Sequence, residues 1–149
     1  FVVDRGLKKI LWSMPLGKAA CAAAHDAQVL ENGNILFLCN KYGKYGGTRI
    51  IEYSPMKSKA VWQYPPLGVE SNLQFEFSGG VQRLENDHIL FNDLTPKAPG
   101  RGPVALEITR DGHEQWRFEY PISISGQASP YQQIKRQDLS KFLEKNRTF

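Results

Sequence analysis

The chain has 149 residues, with 19 basic and 15 acidic side chains and a formal net charge of +4. This positive excess is too small to indicate nucleic-acid binding, and no apolar run reaches the roughly 18 residues of a membrane-spanning helix. Neither a nucleic acid nor a membrane is therefore expected as a partner, and no signal peptide is visible.

Short strands separated by turns are predicted along most of the chain. Residues 1–4 and 9–14 predict two strands, the second of which carries Trp12. Four strands follow over residues 25–30, 35–39, 48–53 and 60–64, and four more over 80–84, 89–92, 104–109 and 115–119. Asn-Gly, Asp-Gly and proline-containing segments lie between them and favour turns.

One hairpin sequence occurs twice, at a constant offset of 54 residues. The positions that recur are Gln28, Leu30, Glu31, Asn32, Ile35, Leu36 and Phe37, which return as Gln82, Leu84, Glu85, Asn86, Ile89, Leu90 and Phe91. Trp62 returns as Trp116 at the same offset, and Glu52 returns as Glu107. A fixed period of this size is typical of a repeat protein built from supersecondary units.

Four-stranded units of this length, each ending in a strand with tryptophan, are typical of β-propeller blades. The predicted fold is all-β, with about 2.5 propeller blades of four antiparallel strands. A partial blade spans residues 1–16, whole blades span 22–66 and 75–121, and an extension spans 122–149. The alternative is a single β-sandwich whose two similar segments are coincidental. Because propellers close with about 4–8 blades, further blades or further copies are expected to complete the fold.

The C-terminal extension predicts a short helix over residues 137–146. Leu139, Phe142 and Leu143 recur at helical spacing, and Asp138 is placed to cap the first turn. No catalytic residue is expected in this helix, which would pack on the rim of the propeller.

The two cysteines leave two interpretations open. Folding the hairpin about residues 31–34 places residue 26 opposite Cys39, with Cys21 a few residues beyond at the same end. A disulfide forms if residues 21–25 fold back, and otherwise both thiols are buried and free. There is no Cys-x-x-Cys pair and no paired-histidine spacing, so no metal site is predicted.

Of the three histidines, one is placed for chemistry. His88 and His113 lie in predicted turns, where they are expected to face solvent. His25 begins an innermost strand, which in a propeller lines the central channel, and it is the candidate general base or nucleophile. Asp26 is expected to point to the opposite face of the strand and to be a poor partner for the ring. The alternative is a packed histidine that caps the hairpin together with Asp26.

Polar and basic residues near the same end of the strands are candidates for binding an anionic ligand. Asn40 and Arg49 flank the glycine-rich loop that contains Lys44, and Arg101 lies in the corresponding loop of the next blade. These four residues are the predicted substrate-binding groups, with the tyrosines and lysines of the loop available to contact an aromatic anion. A surface loop without a ligand is the alternative.

The strings HDAQVLENGNILFLCN, RIIEYSP and AVWQY resemble the arylsulfotransferase family of propellers, as does GGVQRLENDHILFND. The resemblance covers residues 1–121, and His25 matches the histidine of the family's hairpin motif. Two departures stand out, since Asp87 and His88 replace Asn-Gly in the second hairpin, and the chain offers one channel histidine where the family uses several.

The resemblance implies sulfuryl transfer from an aryl sulfate to a phenolic acceptor, without a nucleotide donor or a cofactor. A channel histidine attacks the ester and holds the sulfuryl group before the acceptor takes it. Whether His25 is that nucleophile or a supporting channel residue stays open at this point. A periplasmic or extracellular location is expected. The competing interpretation is a non-catalytic propeller that binds a ligand or a protein through the same loops.

Overall fold

In the computed structural model the described residues are 1–14, 21–42, 47–73, 79–93 and 104–120. The chain forms two compact units, Phe1–Glu76 and Phe77–Phe149. The described residues form ten strands in antiparallel sheets and no helix, so none of them belongs to a helix able to cross a membrane. The all-β prediction is confirmed. The helix predicted over residues 137–146 lies outside the described residues.

The described residues of the first unit form six strands in two sheets. They are β1 (Val2–Asp4), β2 (Lys9–Trp12), β3 (Cys21–Val29), β4 (Ile35–Tyr42), β5 (Arg49–Ser54) and β6 (Lys59–Tyr64). β1 pairs with β2, and the other strands form one sheet in the order β3-β4-β5-β6. Each strand pairs with its neighbour in sequence, which is the meander expected from short turns.

The second unit repeats this meander. Its strands are β7 (Val81–Arg83), β8 (Ile89–Asp93), β9 (Val104–Ile108) and β10 (Glu114–Glu119), in the order β10-β9-β8-β7. Leu36 pairs with Glu52, and the recurring residues Leu90 and Glu107 pair in the same way. The repeat in the sequence is therefore a repeat of sheet topology and of register.

The inner strands of both sheets supply the core. Phe37 on β4 and Phe91 on β8, at equivalent places in the two repeats, are both fully buried. In the first unit, a cluster forms around Phe37, Ile51 and Tyr53, and Trp12 packs against it with its ring centroid 6.2 Å from that of Tyr53. The partial repeat at the N-terminus therefore covers one face of the sheet that follows it.

Three hairpins close in the same way, with a type I turn followed by one residue at positive φ. In each, a backbone N–H bonds to the carbonyl four residues on; the pairs are Leu30 with Asn34 (2.8 Å), Leu84 with His88 (2.8 Å) and Thr109 with His113 (2.9 Å). The residues at positive φ are Gly33 (77°), Asp87 (65°) and Gly112 (91°). Aspartate at this place in the second repeat keeps the turn, because aspartate tolerates the left-handed region better than most residues.

We expect Gly33→Ala to lower the free energy of unfolding by about 1 kcal/mol, because alanine resists positive φ. A Cβ at Gly33 meets no atom within 4 Å, so the loss comes from the backbone alone. Urea unfolding measures it, with Gly33→Asp as the matched control, since Asp87 holds the equivalent place. A Gly33→Ala protein as stable as the parent would contradict the assignment of strain to this residue.

The register of the first hairpin differs from the prediction that residue 26 faces residue 39. Ala24 is the partner of Cys39, and the pairing shifts between His25 and Gln28. Asp26 lies in this irregularity with φ 49°. A bulge of this kind adds a residue to one strand and turns the side chains around it, which a count of residues from the turn does not anticipate.

A disulfide joins Cys21 to Cys39, with Cα atoms 5.6 Å apart. Both half-cystines belong to the buried cluster around Phe37 and Ile51. Of the two interpretations left open by the sequence, the structure has the disulfide and not a pair of free thiols. It links β3 to β4, the two strands that carry His25 and Asn40.

We expect the double variant Cys21→Ala/Cys39→Ala to lose about 3 kcal/mol of stability, as is typical for a cross-link that closes a loop of this size. The two cysteines are 18 residues apart in sequence. Unfolding in urea with and without a thiol reductant measures the effect, and the double variant serves as the control that reductant leaves unchanged. An unfolding midpoint of the parent protein that does not respond to complete reduction would contradict this expectation.

Candidate functional site

His25 lies on β3, immediately before the bulge, and pairs with Leu38 of β4. The side chain is half-buried. Its Nε2 atom is inaccessible to solvent and has no hydrogen-bond partner among the residues that the structure describes. Buried polar atoms are nearly always paired in folded proteins, and exceptions are often functional. This nitrogen is therefore the clearest chemical feature of the first unit.

Asn40, predicted to bind substrate, is the side chain that meets the His25 ring. The two side chains hydrogen-bond to each other. Thr48, at the start of the next strand, donates its hydroxyl to Asn40 Oδ1 at 3.2 Å. Thr48 is itself buried, and its carbonyl accepts a hydrogen bond from the Ser71 hydroxyl. The amide of Asn40 is thus held between a ring and a buried hydroxyl.

The environment of His25 favours the neutral imidazole. Burial, which is the largest influence, lowers the pKa of His25, while the hydrogen bond to Asn40 and the charge of Asp26 act in the opposite direction. A histidine with a lowered pKa is unprotonated at neutral pH, so one ring nitrogen carries a lone pair. The ring can therefore serve as a nucleophile or as a base. Asp26, expected to be a poor partner, still influences the ring through its charge.

Arg49, also predicted to bind substrate, lies inside the unit with 5% of its surface exposed. Its guanidinium donates hydrogen bonds to the backbone carbonyls of Pro65, Pro66 and Val69, the last two at 3.0 and 2.6 Å. These bonds fasten the segment after β6 to the start of β5. The contacts that the structure records for Arg49 are structural, and a role in substrate binding stays a prediction.

The remaining predicted binding residues, Lys44 and Arg101, lie outside the described residues. The structure therefore brings together His25 and Asn40, with Arg49 nine residues further along the chain from Asn40. Within the described segments, no group of three or more histidine, cysteine, aspartate or glutamate side chains is arranged to hold a metal ion.

The other two histidines differ from each other. His113 is exposed as predicted, with 78% of its side chain accessible and Nε2 lying 3.3 Å from Asp111 Oδ2. The prediction that His88 faces solvent is wrong, because only 24% of its side chain is accessible. Its Nδ1 lies 2.7 Å from Oε1 of Glu107, which is on the neighbouring strand β9.

This contact of His88 has a counterpart in the first unit. Asn34, the equivalent turn residue, donates to Glu52 Oε1 at 2.6 Å, and Glu52 is 2% exposed. In both repeats a glutamate on the third strand ties down the hairpin turn. Sequence reasoning missed this role, although the recurrence of Glu52 as Glu107 was the available signal.

Comparison of the chain with models of protein families, with curated proteins and with solved structures found no match. The chemistry of the site therefore rests on its own geometry. That geometry consists of a half-buried, neutral imidazole, one nitrogen of which has no hydrogen-bond partner among the described residues, with an amide bonded at its other side.

Proposed function

We propose that the two sheets are successive blades of a β-propeller, with β1 and β2 as the end of a preceding blade. The constant offset of 54 residues and the shared meander support this fold. So does the packing of Trp12, from the partial repeat, beside Tyr53 of the next repeat. Face-to-face contact between consecutive four-stranded sheets is how propeller blades bury their apolar surfaces.

We propose further that another blade, or another copy of the chain, covers the outer strand β10. Trp116 occupies the place in the second repeat that Trp62 has in the first, and it is 45% exposed. Phe118 is also 45% exposed, and its ring centroid lies 6.3 Å from that of Trp116. Large aromatic side chains left together at a surface are typical of an interface.

For the activity, we propose that the protein moves a sulfuryl group from an aryl sulfate to a phenolic acceptor through His25. The observation that carries this proposal is the Nε2 atom of His25, which has no partner in the described part of the chain and which a substrate reaches only when the atoms that cover it move aside. The low-dielectric surroundings that lower the pKa of His25 keep the ring neutral and nucleophilic. The resemblance of residues 25–40 to the arylsulfotransferase hairpin suggests the substrate class.

The chemistry proceeds in two displacements at sulfur. The lone pair of His25 Nε2 attacks the sulfur atom, a nitrogen–sulfur bond forms, and the bond to the aryl oxygen breaks with its electron pair leaving on the phenolate. The phenolate of the acceptor then attacks the same sulfur, and the nitrogen–sulfur bond breaks to restore the lone pair. The first phenolate takes up the proton that the acceptor phenol has lost, so charge and protons balance over the cycle.

A periplasmic or extracellular location is part of the proposal. Its support is the disulfide between Cys21 and Cys39, because such bonds persist in oxidising compartments and are rare in the cytosol. A cytosolic protein would be expected to keep both thiols reduced.

A non-catalytic binding module is the second candidate, and one observation favours it. The guanidinium of Arg49 already bonds to three backbone carbonyls, so the cation predicted nearest to the site is committed to the fold. Sulfuryl transfer needs positive groups or hydrogen-bond donors on the sulfate oxygens. In this second case the residues around His25 bind an aromatic anion without transferring a group.

An assay with a chromogenic aryl sulfate decides between the transferase and the binding module. The substrate is supplied to the longest available form of the protein, with and without a phenol acceptor. Acceptor-dependent release, with SO3 found on His25 by mass spectrometry when the acceptor is omitted, supports the transferase. Release that needs no acceptor identifies hydrolysis instead. Binding of the aryl sulfate without any turnover from folded protein supports the binding module. His113→Ala is the control, since His113 lies exposed in the second unit.

A further inference from the structure

The register of the first hairpin places Asn40 on the same face as His25. His25 pairs with Leu38 and Ala23 pairs with Asn40, so Asn40 lies two residues along β4 from the direct partner of His25. Residues two apart on a strand share a face, and such diagonal neighbours are within reach of long side chains. The bulge follows His25 and leaves this part of the pairing regular. The contact between ring and amide is therefore set by the sheet itself.

The orientation of the Asn40 amide is set by Thr48. The Thr48 hydroxyl donates to Asn40 Oδ1 at 3.2 Å, and Thr48 is 6% exposed. A carbonyl-type oxygen has two lone pairs and accepts a second hydrogen bond. An oxygen held in this way accepts an N–H from the imidazole, so the ring nitrogen that faces Asn40 keeps its proton.

Because Nε2 of His25 has no hydrogen-bond partner in the described part of the chain, the ring atom that pairs with Asn40 is Nδ1. We propose that Asn40 is a positioning residue, which holds the proton of the neutral His25 ring on Nδ1 and leaves the lone pair on Nε2. The inference rests on the proposed role of His25 as nucleophile. It differs from the direct contact with substrate that the sequence predicted for Asn40.

The hydrogen bond to Asn40 would decide which tautomer the neutral His25 ring adopts. A neutral imidazole carries its proton on either nitrogen, and the hydrogen bond at one nitrogen selects which of the two is nucleophilic. Without the acceptor at Asn40, the ring is free to place its proton on Nε2, and that nitrogen then has no lone pair to offer sulfur. In a mixture of tautomers only part of the His25 rings carry the lone pair on Nε2, so loss of the acceptor is expected to lower turnover several-fold.

Nitrogen NMR of protein labelled at histidine tests the inference without requiring any activity. Protonated and unprotonated ring nitrogens differ clearly in chemical shift, and only three histidines contribute signals. The variants are Asn40→Leu, which removes the acceptor, and Asn40→Asp, which restores one. Asn72→Ala removes an exposed amide from the same unit and serves as the control. The signals of His88 and His113, which belong to the second unit, act as internal references.

In the parent protein we expect His25 to be protonated on Nδ1 and unprotonated on Nε2. Asn40→Leu should give a mixture of tautomers and a lower pKa of His25, because the contact with Asn40 opposes the effect of burial. Asn40→Asp should retain the Nδ1 proton and raise the pKa of His25, because a carboxylate is the stronger acceptor. Asp26, whose charge also raises the pKa of the ring, is unchanged in every variant.

A parent ring protonated on Nε2, or a tautomer that does not change in Asn40→Leu, would overturn the proposal. The proposed function can fail while this inference holds. If the tautomers are as expected but the protein transfers no sulfuryl group, Asn40 is still a positioning residue, in a binding site instead of an active site. Near-normal transfer in a folded Asn40→Leu protein with mixed tautomers would show that the tautomer does not limit the reaction, and would also overturn the role assigned to Asn40.

Discussion

Replacing His25 with alanine should lower the rate of sulfuryl transfer by about 10³-fold or more, because the variant has no atom to form the covalent intermediate. The side chain is half-buried and pairs with its surroundings through Asn40, so the fold should survive the change. Initial rates with an aryl sulfate and a phenol measure the effect, beside circular dichroism to show that the variant is folded. His113→Ala should keep the parent rate.

The pH profile of any sulfuryl transfer by the parent protein gives an independent check on the same residue. The nucleophile must be unprotonated, and burial lowers the pKa of His25 from its ordinary value of 6.5. Activity should therefore rise with pH and reach its plateau below the pH at which an exposed histidine loses its proton. An ascending limb above that pH would assign the nucleophile to a different group. So would a His25→Ala variant that transfers sulfuryl groups at the parent rate.

Replacing Arg49 with methionine should lower the free energy of unfolding by about 3 kcal/mol, an effect as large as the one expected from loss of the disulfide. Each hydrogen bond from a charged group contributes about 1.5–3 kcal/mol, and the buried carbonyls left behind lose their partners. The carbonyls concerned are those of Pro65, Pro66 and Val69. Urea unfolding followed by intrinsic fluorescence measures the loss.

Arg49→Lys separates structural from substrate-binding roles. Lysine keeps the positive charge but lacks the planar fork that reaches several carbonyls, so most of the stability should still be lost. If Arg49 instead binds the sulfate, Arg49→Lys would raise KM and leave the unfolding midpoint nearly unchanged. Arg83→Met is the matched control, because its ion pair with Asp87 is partly exposed and should contribute less than about 1 kcal/mol.

The strands of both repeats could be predicted because their signals are local. β-branched and aromatic runs define the strands, and glycine, asparagine and proline define the turns between them. The predicted strands and the observed ones agree to within two residues, except that β3 begins at Cys21 and not at residue 25, and β4 runs to Tyr42 and not to residue 39. The alanine run before His25 carries no strong strand signal, and its pairing with β4 extends the strand.

The candidate site was predicted only in part. His25 was predicted as a site residue from a place at the start of a strand, but it lies in the middle of β3, because that strand begins at Cys21. Asn40 was predicted from its place near the end of the next strand. The bulge at Asp26 was not anticipated, because a positive φ in a non-glycine residue is imposed by the surrounding sheet and not by local preference. The predicted register near the site was therefore wrong by two residues. Cys39 pairs with Ala24 and not with Asp26.

Local patterns in the chain were enough to predict the repeat, the turns and the ten strands that the described residues form, since each depends on residues a few positions apart. Contacts between residues far apart in the sequence decide which polar side chains are available for chemistry, and only the tertiary structure shows them. Arg49 reaches carbonyls 16 to 20 residues away, and His88 reaches a glutamate 19 residues away. Such pairs form only when the sheet brings the segments together, and their hydrogen bonds then compete with ligand for the same groups.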